Sequence, residues 1–599
     1  MLKNLLNRIL PTPPTPTPTP TPPAPPAPGA NGANGATEPV TEPAPLPEQV
    51  TRSDAFLAQG DAREEAGDLP QAVALYRAAI VAAPRHARAH LYLGVALAAQ
   101  GDEDGAIAAY RQVLTIDPRN PFGNYNLARL LVMRGDLERA GALVADALRA
   151  KPDFPQALEL SQRILRDQGF AQEALAAARR VVEHDPANWL HRSFELLLLN
   201  FVDDIPADDL HRRHLELGVA LEQANPVRFD RHRERGDARR PLRVGYVSGD
   251  FHVHPVTFFL APVLEHHDRS QIEVFCYSLS TRRDAMTDRI RAATDRWCDA
   301  SAMSDDEVAD AIHADGIDVL IDLMGHSSTP RLGVFCRRPA PVQAAWLGYL
   351  NTTGLSRMDF RITDVRSDPP GISERVHAER LVRLPFSQWC YPGAPEHEIA
   401  PVPPFERHGH LTFGSFNASL KLTPATCRRW AEVMRQVPGS RLLICDINSD
   451  GRRAAILRDF ASLGVATDRV AFVPRVAASE YMGLYNEVDI TFDTFPYGGG
   501  TTTFDSLWMG VPVVAAIGGT PVSRSAAGIL SALGLDDWVA PSVDRFVEVA
   551  VARAMDLQAL RELRRTLRPR LQASPLTDLP GYTRDLEAAW RRMWLEKTS

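Results

Sequence analysis

A chain of 599 residues is too long for one hydrophobic core and, by ordinary domain sizes, divides into roughly three or four units. With 66 basic against 74 acidic residues, a net charge of −8 and no long basic block, it carries no electrostatic footprint for nucleic acid or an anionic membrane. Six cysteines, Cys276, Cys298, Cys336, Cys390, Cys427 and Cys445, lie far apart without a CxxC pair, which argues for buried thiols in a reducing compartment and against a disulfide framework or a zinc site.

The opening decamer MLKNLLNRIL is too short to span a membrane and runs into proline instead of a small-residue cleavage site. A cytoplasmic protein without a transmembrane segment is expected, with a signal peptide as the competing reading. Residues 11–49 are dominated by Pro, Thr and Ala, a composition that cannot bury enough apolar area to fold, so 1–50 is expected to be a disordered tether. A plain spacer and a proline-recognition ligand are the two uses open to it.

Residues 51–186 repeat. Gly67, Gly101, Gly135 and Gly169 are 34 residues apart; so are Ala72, Ala106, Ala140 and Ala174; so are Pro84, Pro118, Pro152 and Pro186; and so are Tyr76, Tyr110, Val144 and Ala178. A small residue lets two amphipathic helices cross closely, and the proline ends the second before the next unit. Four helix–turn–helix units of this length resemble tetratricopeptide repeats, although the large aromatic near the start of the first helix is missing. Such an array stacks into a superhelix that either holds a peptide on its concave face or serves as a scaffold. Two further helices, NWLHRSFELLLLNF and DDLHRRHLELGVALEQ, form a linker over 187–240.

From Arg243 short β-branched runs alternate with helical stretches: LRVGYVS, IEVFCYSLS, IDVLIDLMG and VQAAWLGY, then LTFGSFN, RLLICDI, RVAFVPR, VDITFDTF and VPVVAAI. The pattern predicts parallel sheets covered on both faces, in two doubly wound lobes over 241–395 and 396–599, the second ending in a C-terminal helix. A ligand cleft is expected at the carboxyl ends of the strands.

Three stretches carry candidate chemistry. In DTFPYGGGTTTFDSLWMG, Gly499 and Gly500 sit between a buried strand and a helix capped by Thr501, Thr502 and Thr503, so backbone N–H groups and hydroxyls can meet an anion; a plain glycine turn is the alternative. Asp505 would repel phosphate and suits a neutral sugar or ribose hydroxyl. In GYVSGDFHVHPVTFF, Asp250, His252 and His254 follow the strand, and His254 either faces the cleft, where it can handle a proton, or caps the loop. His266 and His267, near a helix end, are expected to be solvated. In FGSFNASLKLTP, Lys421 at a strand's carboxyl end can neutralise charge on a departing phosphate, although alone it would read as an exposed lysine. The His/Asp spacings fit no metal motif.

Together SGDFHVHPV, RPAPVQAAWLGYLNTTG, DFRITD, FGSFNASLKLTP and DTFPYGGGTTTFDSLWMGVPVV resemble the family-41 glycosyltransferases, which include O-linked N-acetylglucosamine transferase and Spindly-type O-fucosyltransferase. The similarity covers the repeats and about Leu242 to Trp594. It implies a tetratricopeptide superhelix followed by a GT-B fold of two Rossmann-like lobes. The implied activity is that of a hexosyltransferase: inverting, metal-independent transfer of GlcNAc from UDP-GlcNAc to Ser or Thr of proteins. No cofactor is implied beyond the nucleotide sugar, and the acceptor protein would lie along the repeats. By the same resemblance Lys421 contacts the donor diphosphate, Thr501 and Thr502 hold phosphate, Asp505 the ribose, and His254 the sugar side. Asn417, Val476, Tyr481, Gly499, Gly500 and Thr503 complete the donor site, while Thr352 and Thr353 line the acceptor side. Gly500 and Tyr481 stand where animal O-GlcNAc transferases carry His, and Ala418 stands where they carry a nucleotide-contacting Gln. GDP-fucose is therefore an alternative donor, and a degenerate, non-catalytic scaffold the alternative outside enzymes. The general base and the oligomeric state are left open by the sequence.

Overall fold

A computed structural model describes residues 46–232, 237, 239–327, 330–394 and 397–598. Residues 1–45 of the expected tether lie outside the described residues. Its last positions do not belong to it: a helix already begins at Pro47, where Gln49 folds back to accept the Leu46 N–H at 2.9 Å. Contacts divide the chain into two compact units, one ending at Ile164 and one running from Leu165.

The first unit stacks helices Pro47–Glu65 and Leu69–Ala82, Ala87–Ala99 and Glu103–Ile116, then Pro121–Met133 and Leu137–Ala150, and ends within Pro155–Gln168. The 34-residue period has a local cause. At each turn Gly67, Gly101 and Gly135 adopt positive φ, and the next residue, Asp68, Asp102 or Asp136, accepts an N–H of the following helix. Gly60 and Gly94 make room for the Tyr76 and Tyr110 rings, since a Cβ there would fall 2.4 and 2.5 Å from them. The final repeat does not stay with its neighbours. Its last helix, Ala171–His184, buries Ala174, Leu175 and Ala178 in a core shared with the linker helices Trp189–Leu199 and Ala207–Ala224 and the first lobe. The expected boundary at 186 therefore differs from the division by contacts, because this helix finds its apolar partners downstream.

The second unit holds two parallel sheets. The first comprises β1 (Leu242–Ser248), β2 (Ile272–Ser278), β3 (Arg296–Asp299), β4 (Val319–Asp322), β5 (Val342–Ala345), β6 (Phe360–Asp364) and β7 (Arg380–Leu384), in the order β3-β2-β1-β4-β5-β6-β7. The second comprises β8 (Thr412–Ser415), β9 (Arg441–Cys445), β10 (Val470–Val473), β11 (Ile490–Phe492), β12 (Val513–Ala516) and β13 (Val539–Ala540), in the order β10-β9-β8-β11-β12-β13. Both are doubly wound, and the strand order reverses at β1/β4 and at β8/β11.

Two expectations are corrected here. The terminal helix Leu579–Thr598, placed by sequence with the second lobe, packs against the first: Trp590 meets Tyr246 with ring centroids 6.0 Å apart, Arg240 lies over Trp594, and Lys597 pairs with Asp359 at 2.7 Å. His267 is not solvated. It is buried between Tyr246 and Glu587 of that same helix, 2.9 Å from the carboxylate, a partner 320 positions away that no local pattern reveals.

Trp590 is fully buried and its indole N–H has no partner among the described residues, so its contribution is packing alone. Trp590→Ala is expected to destabilise the second unit by about 3–5 kcal/mol, read by chemical denaturation.

Candidate functional site

In a doubly wound sheet the crevice lies where the strand order reverses, because the loops leaving the two central strands diverge to opposite faces. In the second lobe those loops follow β8 and β11. After β8 come Asn417 and a short turn Ser419–Lys421; after β11 come Asp493, the glycines, and the helix Thr501–Trp508. Residues 77 to 85 positions apart in sequence are thereby brought into contact.

The Lys421 ammonium donates to the Gly498 carbonyl at 2.9 Å and lies 4.5 Å from the centroid of the Tyr497 ring. Lys421 keeps a partial opening to solvent, yet its surroundings are dense, and that burial lowers its pKa to about 8 against the opposing pull of Asp493. Burial raises Asp493 to about 7, restrained by hydrogen bonds from the Gly499 and Thr494 amides and by Lys421. The Gly499 N–H reaches Asp493 at 2.6 Å. Asn417 joins the two loops, accepting the Thr502 hydroxyl at 3.3 Å and bonding Asp493.

Of the three threonines, Thr501 and Thr502 stay half-exposed at the helix start, whereas Thr503 turns inward and gives its hydroxyl to the Gly499 carbonyl at 3.1 Å. Thr503 therefore shapes the loop and has no hydroxyl hydrogen to offer a phosphate, which corrects its sequence assignment. The first-turn N–H groups of an α-helix have no carbonyl of their own helix to bond, so the half-exposed start at Thr501 and Thr502 faces outward as an electropositive end.

Asp505 is buried beneath this start. Its carboxylate accepts the Tyr391 hydroxyl at 2.7 Å and bonds Tyr481, whose hydroxyl also meets Tyr485 at 3.0 Å; burial raises Asp505 to about 7. The expected bare carboxylate for a ribose is instead one end of a tyrosine cluster. Val476 stands half-buried in the loop between β10 and the helix Ala478–Tyr481.

In the first lobe His254 caps the helix Pro255–His266. Its Nδ1 accepts the Val256 N–H at 3.3 Å, with Asp250 3.7 Å away. Burial lowers its pKa, so the ring is neutral near pH 7. With Nδ1 engaged, the proton sits on Nε2, and the ring offers a hydrogen-bond donor. The two helices opened by these loops pack together: Phe259 lies 5.9 Å from Phe504, and Tyr391 stacks on Phe504 at 5.1 Å.

Thr352 and Thr353 are fully buried. Both hydroxyls and the Thr353 N–H go to Glu379, so neither presents a group to an acceptor. Their role is internal: the Thr353 carbonyl accepts from His326 Nε2 at 2.9 Å, and Ser193 of the linker donates to His326 Nδ1 at 2.7 Å.

Sequence reasoning missed Asp493, Tyr497 and Tyr391. For Lys421 a stronger signal was available, since only four of the 66 basic residues are lysines. A compact ammonium whose pKa can shift is not interchangeable with guanidinium, and a lysine kept in an arginine-rich chain marks a position that needs one.

Each of the two doubly wound lobes carries a helix start at its switch point, and the second adds a lysine bonded into the loop before that helix. The family model described as glycosyl transferase family 41 matches residues 210–390 and 407–586, more than half of the chain, and tetratricopeptide-repeat models match residues 57–121 and 97–164. The chain belongs to glycosyltransferase family 41. It is similar to a rice protein named probable UDP-N-acetylglucosamine–peptide N-acetylglucosaminyltransferase SPINDLY, with 38% identity over 70% of this chain and 46% of the rice protein. It is 31% identical to the Arabidopsis thaliana protein of the same description named SEC, over 60% of this chain and 38% of that protein. Among solved structures it is similar to a mutant of the Thermobaculum terrenum O-GlcNAc transferase: TM-score 0.66 and 30% identity, covering 92% of this chain and 99% of that one. The chain spans less than half the length of these curated plant relatives.

The two glycines before the helix differ in the room they leave. A Cβ on Gly499 would fall 2.7 and 2.9 Å from the Thr502 and Thr503 hydroxyls, whereas one on Gly500 would meet nothing within 4 Å. Gly499→Ala is expected to cost about 1–3 kcal/mol by forcing the loop apart. Gly500→Ala should cost less than about 1 kcal/mol, the difference between residues at a helix cap. Thermal denaturation of the pair measures both.

Proposed function

We propose that this protein is an inverting, metal-independent protein O-glycosyltransferase that moves GlcNAc from UDP-GlcNAc to Ser or Thr hydroxyls of acceptor proteins. The observation that carries the reading is the meeting of Lys421 with the glycine loop and the start of helix Thr501–Trp508 at the second sheet's switch point. Family membership and the names of the relatives support it.

In the proposed reaction the acceptor oxygen attacks the anomeric carbon from the face opposite the diphosphate. The new C–O bond forms as the bond to phosphate oxygen breaks, and the hydroxyl's proton passes to an oxygen of the donor phosphate, directly or through water. Charge builds on the departing nucleoside diphosphate, where the Lys421 ammonium and the free N–H groups at Thr501 and Thr502 meet it. These groups supply the positive charge that a metal would otherwise bring, so chelators should leave the rate unchanged. His254 serves as a neutral donor to the sugar from Nε2, and Tyr481, held by Asp505, lies toward the ribose. The acceptor peptide is proposed to bind on the repeats. Free cysteines in both lobes suit a reducing compartment, which supports the proposal of a cytoplasmic site of action.

GDP-fucose is the second donor to be considered, favoured by Gly500 and Tyr481 where the animal pattern has histidines. Purified protein offered each nucleotide sugar with an acceptor extract, and read by intact mass, decides between them. Transfer or hydrolysis of neither overturns the enzyme reading in favour of a scaffold.

Lys421→Ala is expected to lower kcat by about 10²–10³-fold, as for loss of one preorganised charge partner, and near-normal turnover would remove Lys421 from the mechanism. Because its pKa is lowered to about 8, the ammonium is present below that value and lost as pH rises through it. The wild-type rate should therefore fall on an alkaline limb near pH 8.

A further inference from the structure

The contacts that hold Lys421 do not come only from the lobe that carries it. The turn Asn200–Asp204, between the linker helices Trp189–Leu199 and Ala207–Ala224, is closed by Asp204 at φ 64° and reaches three separate segments. Asn200 donates to the Tyr349 hydroxyl at 3.0 Å in the first lobe. The Phe201 ring stacks on Tyr497 of the glycine loop, with centroids 4.6 Å apart and planes within 10°. Asp203 accepts the N–H of Ala425, four residues beyond Lys421, at 3.3 Å. The turn between the two helices of the last repeat, Pro155–Gln168 and Ala171–His184, touches the same stretch from another side. Ser419 donates to the Gln168 carbonyl at 3.4 Å, and Arg452, lying over the Phe170 ring, donates to the Leu422 carbonyl.

Residues 419 and 425, on both sides of Lys421, are thus held from the helical segment, and the ring against which the ammonium rests is stacked by Phe201. We propose that the linker turn positions Lys421 in the donor site, with Phe201 as the positioning residue acting through Tyr497. A flat ring 4.6 Å from Tyr497 fixes that ring's plane, and a cation prefers a fixed aromatic face from which water is excluded. Asp493 at the end of β11 is the charge that acts on the ammonium and Tyr497 the titratable ring against it, while Asp203 in the turn and Arg452 on helix Asp450–Ser462 bond the backbone of Ala425 and Leu422 nearby. Phe201 adds no charge to this set. Its removal alters only packing and solvent access, which makes its effect on the lysine readable.

This inference rests on the reading of Lys421 as a partner of the donor diphosphate, but its test does not need turnover. The full chain contains four lysines, Lys3, Lys151, Lys421 and Lys597, so 13C-labelling at lysine Cε gives four resonances, and Lys421→Met identifies one of them. In Phe201→Ala the Lys421 midpoint is expected to rise from near 8 toward the ordinary lysine range by about one unit, as water reaches the ammonium. The alkaline limb of kcat/KM should move with it, with kcat at neutral pH falling at least about tenfold and the KM for the nucleotide sugar changing less. Phe201→Tyr, which keeps the stack, should restore both. An unchanged midpoint in folded Phe201→Ala overturns the proposal. Should that variant fail to fold, Phe201→Leu, which keeps most of the volume without the flat face, takes its place: a smaller upward shift supports the proposal and no shift overturns it. A shifted midpoint with unchanged turnover and unchanged UDP and GDP affinity leaves the positioning intact and instead removes Lys421 from the donor site.

Discussion

Lys421 must keep a charge in a place where burial disfavours one. A lysine ammonium taken out of water relaxes toward its neutral form unless nearby oxygens and rings replace its hydration, and much of the second lobe's local architecture supplies that replacement. The Gly498 carbonyl and the Tyr497 ring meet the ammonium directly, and Asp493 supports its charge from the end of β11. Asp493 in turn is held by the Gly499 N–H, so the bond that shapes the glycine loop also fixes the lysine's counter-charge. Removing one member of such a buried set leaves the others uncompensated, at a cost of about 3–5 kcal/mol, and that coupling makes the loop a defined structure instead of a flexible turn.

The same constraint explains why the lobes are tied together at several places remote from the cleft. A site whose lysine rests on one loop and whose histidine caps a helix in the other lobe works only if those helices keep a fixed relation. Phe259 against Phe504 sets it at the centre. The terminal helix, returning to the first lobe through Trp590 and Glu587, sets it at the periphery. The linker adds a third tie, because one turn reaches Tyr349 in the first lobe and Tyr497 in the second.

The parts legible in the sequence were those with a local cause. The 34-residue period reflects a Gly-Asp turn repeated within its own helix pair, and β1, β2, β8 and β9 announce themselves as apolar runs. β6 and β7 did not, because FRITD and RLVRL carry arginines; Arg361 is buried all the same, donating to the Tyr349 and Asn351 carbonyls. Thr352 and Thr353 looked available for a ligand until Glu379 claimed both hydroxyls, and His267 looked solvated until Glu587 arrived from the other end of the chain. In each case the deciding partner is non-local, and local periodicity carries no information about it. The residues carried over by family resemblance fared differently among themselves: Lys421, Asn417, Thr501 and Thr502 converge, while Thr503 and Asp505 support from behind.

That division bears on which part of the site sets the donor. On the proposed reading, the groups that meet a diphosphate are charges and backbone amides, which would treat any nucleoside diphosphate alike. Discrimination must come from side chains with shape, and these are clustered elsewhere: Tyr481 bonded to Tyr485 and Asp505, Tyr391 stacked on Phe504, and the open space at Gly500 where a larger side chain would fit. A hydroxyl network with its carboxylate satisfied internally rejects a ligand by leaving polar atoms unpaired, which is a stronger filter than apolar fit. The proposed reading therefore puts chemistry and selectivity in different layers of one loop–helix unit. A change of sugar or base could come about through the tyrosine layer while the lysine, its aspartate and the linker turn that holds them stay as they are.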